Sequence, residues 1–312
     1  MSRSLLANHH GLHQNARPVL GSIAPRIIHP VYRHPYFDLY LHDDQELGAL
    51  LNNPVHQRQT LQEWPLSCVQ RITTEDGRNF IYKVQHSPTV EPEFYARARS
   101  GLLISAQTLS LSEPYSAMLL DLIKGPTLEQ MGMQEPFVLE FGWELLRRIA
   151  CIEGQLPYHL DISTEAKWRS YISKILEDLH GLVEAGEYKL VQPEALTRLE
   201  RWAFCDPVLA TFQAGTGLVH HDLAGDNVFV LPDGPRVIDW QRPILGPTRL
   251  DLALLLESLG FEATPHVGEG VVWLMRLLRV SWFTECSLRW FPEGREGYDR
   301  QIADLIKDIG RG

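Results

Sequence analysis

Inside a long stretch of helical periodicity the chain carries one segment that no helix can hold. Residues 217–240 read Gly-Leu-Val-His-His-Asp-Leu-Ala-Gly-Asp-Asn-Val-Phe-Val-Leu-Pro-Asp-Gly-Pro-Arg-Val-Ile-Asp-Trp. Pro232-Asp233-Gly234 is turn chemistry between two apolar runs, Val228–Leu231 and Pro235–Ile238, so the runs fold back on each other as a hairpin. A three-residue loop over 232–234 sets Leu231 opposite Pro235. Counting outward, Val228 faces Ile238 and Asn227 faces Asp239. Partners in such a ladder lie about 5 Å apart. An amide oxygen and a carboxylate then meet at the hairpin's open end, a donor pair suited to a hard cation such as Mg²⁺. Asp222 precedes Asn227 across a short loop, and Gly225 allows the tight path that returns it to the same corner. Two oxygen ligands and one carboxylate left to take a proton are most of what phosphoryl transfer requires.

The flanks of this island differ. Before it, Ser67–Thr73 and Arg78–Gln85 read as strands joined at Asp76-Gly77, Pro92 opens a helix, and Tyr115–Ile123 is a further apolar strand. After Gly125, apolar residues recur at helical spacing. Val138, Phe141, Leu145, Ile149 and Ile152 form one stripe, and Trp168, Tyr171, Ile172, Ile175, Leu176 and Leu179 a second behind a Ser163 or Thr164 cap. Asp251–Leu259 and Val271–Phe283 give two more helices. The order is α+β: residues 1–60 as an N-terminal extension of open role, 61–124 as a sheet-rich lobe, and 125–312 as a helical lobe. Histidines and prolines crowd the extension (His9, His10, His13, His29, His34, Pro30, Pro35), too irregularly for a metal site.

His220-x-Asp222-x-x-x-x-Asn227, followed by the hairpin and Ile238-Asp239-Trp240, resembles the catalytic loop and metal motif of the aminoglycoside phosphotransferases and related small-molecule kinases. The likeness runs over roughly residues 67–285. It implies a protein-kinase-like two-lobe fold, with a small sheet-rich N-lobe and a larger, mainly helical C-lobe. It also implies Asp222 as catalytic base, Asn227 and Asp239 as metal ligands, and His220 as structural. His221 stands where the family often has Gly, and Asp251 is similar to the family's helix-capping Asp. Lys83, a cation inside the alternating strand Phe80–Gln85, is similar to the lysine that meets nucleotide phosphates. Glu93, at the start of the next helix, is similar to its paired acid, with Glu91 as rival. Leu120–Gly125 resembles the hinge that binds adenine, which makes Asp121 and Ile123 nucleotide candidates. The family's Gly-rich loop is missing, since Ser67–Asn79 holds only Gly77.

The implied reaction moves the γ-phosphoryl group of ATP (or GTP), with Mg²⁺, to a hydroxyl of a small molecule. The rival is a catalytically weak kinase-like protein that only binds a nucleotide or partner. Trp240–Leu250 is too short for the peptide platform of a protein kinase. A net charge of −10 disfavours nucleic acid and would suit a cationic, aminoglycoside-like acceptor, for which Glu257, Glu262, Glu269 and Glu285 are candidates. No apolar run reaches membrane-spanning length. Four widely spaced cysteines read as reduced thiols of a cytoplasmic protein.

Overall fold

A computed structural model describes residues 31–309. His9, His10, His13, His29 and Pro30 lie outside the described residues. β1 (Val31–Arg33) and β2 (Tyr40–His42) form a ribbon, followed by α1 (Asp44–Leu50), whose Asp43 cap accepts the Glu46 N–H at 2.8 Å. Next come β3 (Val55–Trp64), β4 (Ser67–Thr74), β5 (Asn79–His86), α2 (Glu91–Arg97), β6 (Ala106–Leu109) and β7 (Tyr115–Asp121). The strands make an antiparallel five-stranded sheet in the order β3-β4-β5-β7-β6.

Successive side chains of a strand point to opposite faces, and β5 uses both. Tyr82 and Val84 pack with Leu39, Leu41, Leu47 and Ile72 on one face. Lys83 and Gln85 turn to the other, toward α2. Residues 31–51 therefore close the outer face of the sheet, and β3 starts within the stretch that the sequence set apart as an extension. Buried His42 ties the two together: its backbone N–H and ring Nδ1 meet the Tyr82 hydroxyl at 2.8 and 2.7 Å. Three-residue strands and a two-turn helix are too short for periodicity to register.

The helical part comprises α3 (Leu128–Met131), α4 (Glu135–Ala150), α5 (Glu165–Glu184), α6 (Pro193–Ala203), α7 (Asp206–Ala210), α8 (Arg249–Ser258), α9 (Thr264–Val267), α10 (Glu269–Glu285) and α11 (Arg295–Ile309). Thr164 caps α5, accepting the Lys167 N–H at 3.3 Å. Trp168 is buried, and its indole N–H reaches the Ala203 carbonyl at 2.8 Å. α10 is buried almost all round, through Val271, Leu274, Met275, Leu277 and Leu278. That pattern marks a central helix, and each such side chain contributes roughly 1.5–3 kcal/mol. Among the described residues no helix is long and apolar enough to cross a membrane.

Short strands interrupt the helices: β8 (Leu160–Asp161), β9 (Thr216–Val219), β10 (Val228–Leu231), β11 (Gly234–Val237) and β12 (Ile244–Pro247). β12 lies between β8 and β9, with Ile244 opposite Val219. The span from Trp240 to Leu250 is thus fastened in its middle as well as at its ends. The β10–β11 hairpin exists, but its register differs from expectation by one residue. Leu231 pairs with Gly234 and Val228 with Val237. Gly234, at φ +119°, lets the chain reverse over Pro232-Asp233 alone. Asn227 consequently faces Ile238, whose N–H it accepts at 3.0 Å, and not Asp239.

Candidate active site

β9 leads directly into the loop that carries Asp222. His220 is buried, and its tautomer follows from its partners. Nδ1 lies 3.3 Å from the Asp222 N–H, which it accepts, so Nε2 donates to the Ile238 carbonyl at 2.9 Å. The ring also meets the edge of Trp240, whose indole stacks on Phe94 of α2 at 4.4 Å and 9°. His220 is structural in this sense: it joins the loop to the hairpin. His221 adopts φ +71°, the left-handed region that the family's usual Gly would occupy without strain. Asp251 holds it there. Its two oxygens accept the backbone N–H groups of His220 and His221 at 2.7 and 2.9 Å. Asp251 lies in the first turn of α8 but serves the loop. Burial pushes its carboxyl up to about 7 against those two bonds. Thr248, at the N-cap position of α8, makes no side-chain capping bond.

The Asp222 carboxyl opens to solvent, yet the surrounding walls push it above the usual carboxylate range. The Arg242 guanidinium opposes this and the Asp239 charge adds to it. Asn227 is oriented by donating its amide Nδ2 to the Asp222 carbonyl at 2.9 Å. Because Ile238 and not Asp239 sits opposite Asn227, the backbone must turn to bring Asp239 back. It does so at φ +69°.

Lys83 carries the remaining charge. Its ammonium meets Glu91 at 2.6 Å and Asp239 in a still closer contact. Burial lowers its pKa, but the two carboxylates outweigh burial and raise it. Burial likewise pushes Asp239 up, while Lys83 holds it below its ordinary value. Gln85 donates to the same Glu91 oxygen and accepts from Thr89 at 2.6 Å. Gln241 donates to Asp239 at 2.7 Å, and its carbonyl takes the Val90 N–H at 2.9 Å.

The expected acid, Glu93, is not Lys83's partner. α2 begins at Glu91, which therefore points back onto β5. Two residues on, about 200° around the helix, Glu93 faces solvent and pairs with Arg97 at 2.6 Å. Asp121 ends β7 in an exposed position, its N–H given to the Ser105 carbonyl at 3.1 Å. Ile123 lies half-buried in the following loop. Neither joins the Lys83 network through a described contact. The turn ahead of β4 is Trp64-Pro65-Leu66-Ser67, again without Gly; the hairpin at Gly77 is the next one along.

Among the described residues no group of three or more His, Cys, Asp or Glu could hold a metal. What the corner offers is a carboxylate and an amide oxygen. Both hydrogen bonds described for Asp239 fall on Oδ1, and Asn227 commits its amide nitrogen, not its oxygen.

Beside Asp222 opens a cavity of about 100 Å³, walled by Arg242 and by Leu254, Met275, Arg279 and Trp282 of α8 and α10. The four acids expected to meet a cationic acceptor do not line it. Glu257 pairs with Arg279 at 3.1 Å, Glu262 accepts from Thr264 at 2.7 Å, and Glu285 pairs with Arg289 at 3.2 Å. Glu269 borders a separate cavity with Arg249. Sequence reasoning missed Arg242 and Gln241, although both directly follow Asp239-Trp240 and could have been flagged by that position.

A family model described as "phosphotransferase enzyme family" matches residues 103–272, more than half of the chain. Asp222, Asn227 and Asp239 fall inside the match; Lys83 and Glu91 precede it. Curated protein sequences give no match. Among solved structures, a choline/ethanolamine kinase family protein from Mesorhizobium loti is similar at 13% identity and TM-score 0.57, over 82% of this chain and 88% of that one. A thermostable aminoglycoside phosphotransferase mutant, in complex with AMP-PNP and hygromycin B, is similar at 19% identity and TM-score 0.53, over 86% and 98%. A macrolide 2'-phosphotransferase from Brachybacterium faecium is similar at 13% identity and TM-score 0.52, over 83% and 96%. These likenesses establish a protein-kinase-like fold, with a sheet-rich part followed by a helical one.

Proposed function

The chain belongs to the phosphotransferase enzyme family, and on that premise we propose that it moves the γ-phosphoryl group of ATP or GTP onto a hydroxyl of a small molecule, with Mg²⁺. The observation that carries this reading is the meeting of Lys83 with Glu91 and Asp239, three residues from separate parts of the chain, at the corner where Asp222 and Asn227 share one loop. The acceptor oxygen would attack the γ-phosphorus while its proton passes to Asp222. The bond from that phosphorus to the β–γ bridging oxygen breaks, and the nucleoside diphosphate leaves. Partial desolvation raises the proton affinity of Asp222, which suits a general base. Lys83, steadied by Glu91, would lie against the phosphates. Asp239 and Asn227 would hold Mg²⁺, which would supply positive charge to offset that of the phosphates. Two protein oxygens suit an ion that keeps its other positions for phosphate and water.

In this reading the sheet-bearing part to residue 124 binds the nucleotide, and residues 125–312 supply the catalytic loop and the acceptor pocket. The AMP-PNP held by one fold neighbour supports an adenine nucleotide. A small acceptor is favoured because β12 fastens the Trp240–Leu250 span, leaving no slack for a peptide platform. One observation favours the weaker, binding-only reading: the turn ahead of β4 has no Gly for close approach to phosphates. Incubation with γ-labelled ATP and Mg²⁺, across hydroxylated metabolites, antibiotics and generic protein substrates, tests both. A labelled small-molecule product is expected. Robust labelling of protein with no small-molecule product would overturn the reading.

A further inference from the structure

The geometry points to an acceptor that carries an anionic group, a carboxylate or a phosphate ester, docked on Arg242 in the cavity beside Asp222. This inference rests on the phosphotransfer reading above and names the acceptor's chemistry. The cavity lies on the acceptor side. Its walls are the Asp222 loop, Arg242, α8 and α10, and no residue of the Lys83–Glu91 network lines it.

Arg242 is half-buried, and its guanidinium lies 3.6 Å over the Trp282 ring. A guanidinium has five N–H donors in a planar fork. Those of Arg242 make no described hydrogen bond or ion pair, and the stacking on Trp282 leaves its edge open for a bidentate oxyanion. Burial also pulls its pKa below the ordinary value; Asp222 is the largest opposing charge, with Asp239 and Glu285 among the others. Arg279, which also borders the cavity, gives one nitrogen to Glu257 at 3.1 Å. Two guanidinium groups thus border a space whose one lining carboxylate is the proposed base. An ammonium there would face Arg242, with Asp222 as the one lining acid. The volume, about 100 Å³, is well below the roughly 300–1,000 Å³ of drug-sized sites, and Leu254 and Met275 give it apolar walls. A short hydroxylated acid fits these features better than an aminoglycoside does.

The test uses the full chain and pairs of probes. Glycerate and 4-hydroxybutyrate carry a carboxylate, and glycerol 3-phosphate a phosphate. Glycerol and 4-hydroxybutanamide are uncharged counterparts, and ethanolamine and choline are cationic. Binding is read by calorimetry with AMP-PNP and Mg²⁺ present, and turnover by ADP release. At least one acid should bind at millimolar concentration or tighter, with kcat/KM at least tenfold above its uncharged counterpart. The better of the carboxylate and phosphate probes identifies which oxyanion the site takes. Arg242→Gln should erase most of that preference while changing KM for MgATP less than about threefold; Arg242→Lys, which keeps the charge, should retain part of it. Preference for ethanolamine or choline, no binding of any acid, or an Arg242→Gln effect confined to MgATP would each overturn the anion assignment. Acid binding that depends on Arg242 but releases no ADP would support the anion site and overturn the phosphotransfer reading instead.

Discussion

Glu91 and Glu93, replaced in parallel, separate a buried acid from an exposed one on the same helix. Glu91 is 1% exposed, and the bonds it receives from Lys83 and Gln85 both fall on Oε2. Alanine at 91 leaves the Gln85 amide without its partner and the Lys83 ammonium with Asp239 alone. Removing one partner of a buried charge pair costs about 3–5 kcal/mol, and Asp239 still faces the ammonium, so the loss should lie near the lower end, about 3 kcal/mol. Glutamine can set its amide oxygen where Oε2 stood and keep both donors. Only the charge is then lost, and the cost should be about 1 kcal/mol. Glu93 and Arg97 are 46% and 50% exposed, a setting where an i,i+4 pair contributes about 0.3–0.5 kcal/mol. Urea unfolding followed by tryptophan fluorescence measures all three variants at a common slope, beside KM for MgATP. KM should rise for Glu91→Ala and stay near wild type for Glu93→Ala. If Glu91→Ala unfolds within about 1 kcal/mol of wild type, or Glu93→Ala costs as much, Lys83 does not lean on Glu91.

Asp222→Asn should lower kcat by about a hundredfold or more, since a positioned base contributes on the order of 10² to 10⁴, with little change in nucleotide affinity; near-normal turnover would remove Asp222 from the chemistry. Asp239→Ala should abolish the part of nucleotide binding that depends on Mg²⁺, and Asn227→Ala should weaken it less, because an amide brings no charge to the cation. Calorimetry with and without Mg²⁺ checks this, and equal wild-type affinity in the two conditions would end the metal assignment. Half-buried His159 has its pKa lowered from 6.5 to about 4, by desolvation and then by the Arg242 charge. The unfolded chain therefore binds this proton first, and stability should fall as pH drops from about 6.5 to about 4, by about 3 kcal/mol from this group. His159→Gln should flatten that part of the acid limb in urea titrations; an unchanged limb would show that His159 takes its proton in the folded state.

Residues that make their own local signal were legible. Lys83 stands out as a cation in an alternating strand, and Asp222, Asn227 and Asp239 as oxygen donors around Pro-Asp-Gly. What the sequence left undecided depends on where the chain arrives from. The hairpin register turns on the one φ that Gly234 adopts. The choice of Glu91 over Glu93 turns on the phase of α2, fixed by a bond from Val90 to Gln241, two residues far apart in the chain. Arg242 and Trp282 meet with no local pattern to announce it. Net charge could not place the acids either: Glu257, Glu262 and Glu285 meet Arg279, Thr264 and Arg289, and Glu269 borders another cavity.

Tyr82 and Lys83 are neighbours on one strand and look in opposite directions, so the strand behaves as a board with a weight on either side. The hydroxyl of Tyr82 is pinned by His42, so a shift of the strand on that side would carry the Lys83 ammonium with it. A chain trimmed at Val55 would keep every residue named at the site. It would lose the counterweight, wet the far side of β5, and leave Lys83 to find its own height. Changes at Leu39, Leu41 or His42, far from any phosphate, should therefore be felt first as altered nucleotide affinity.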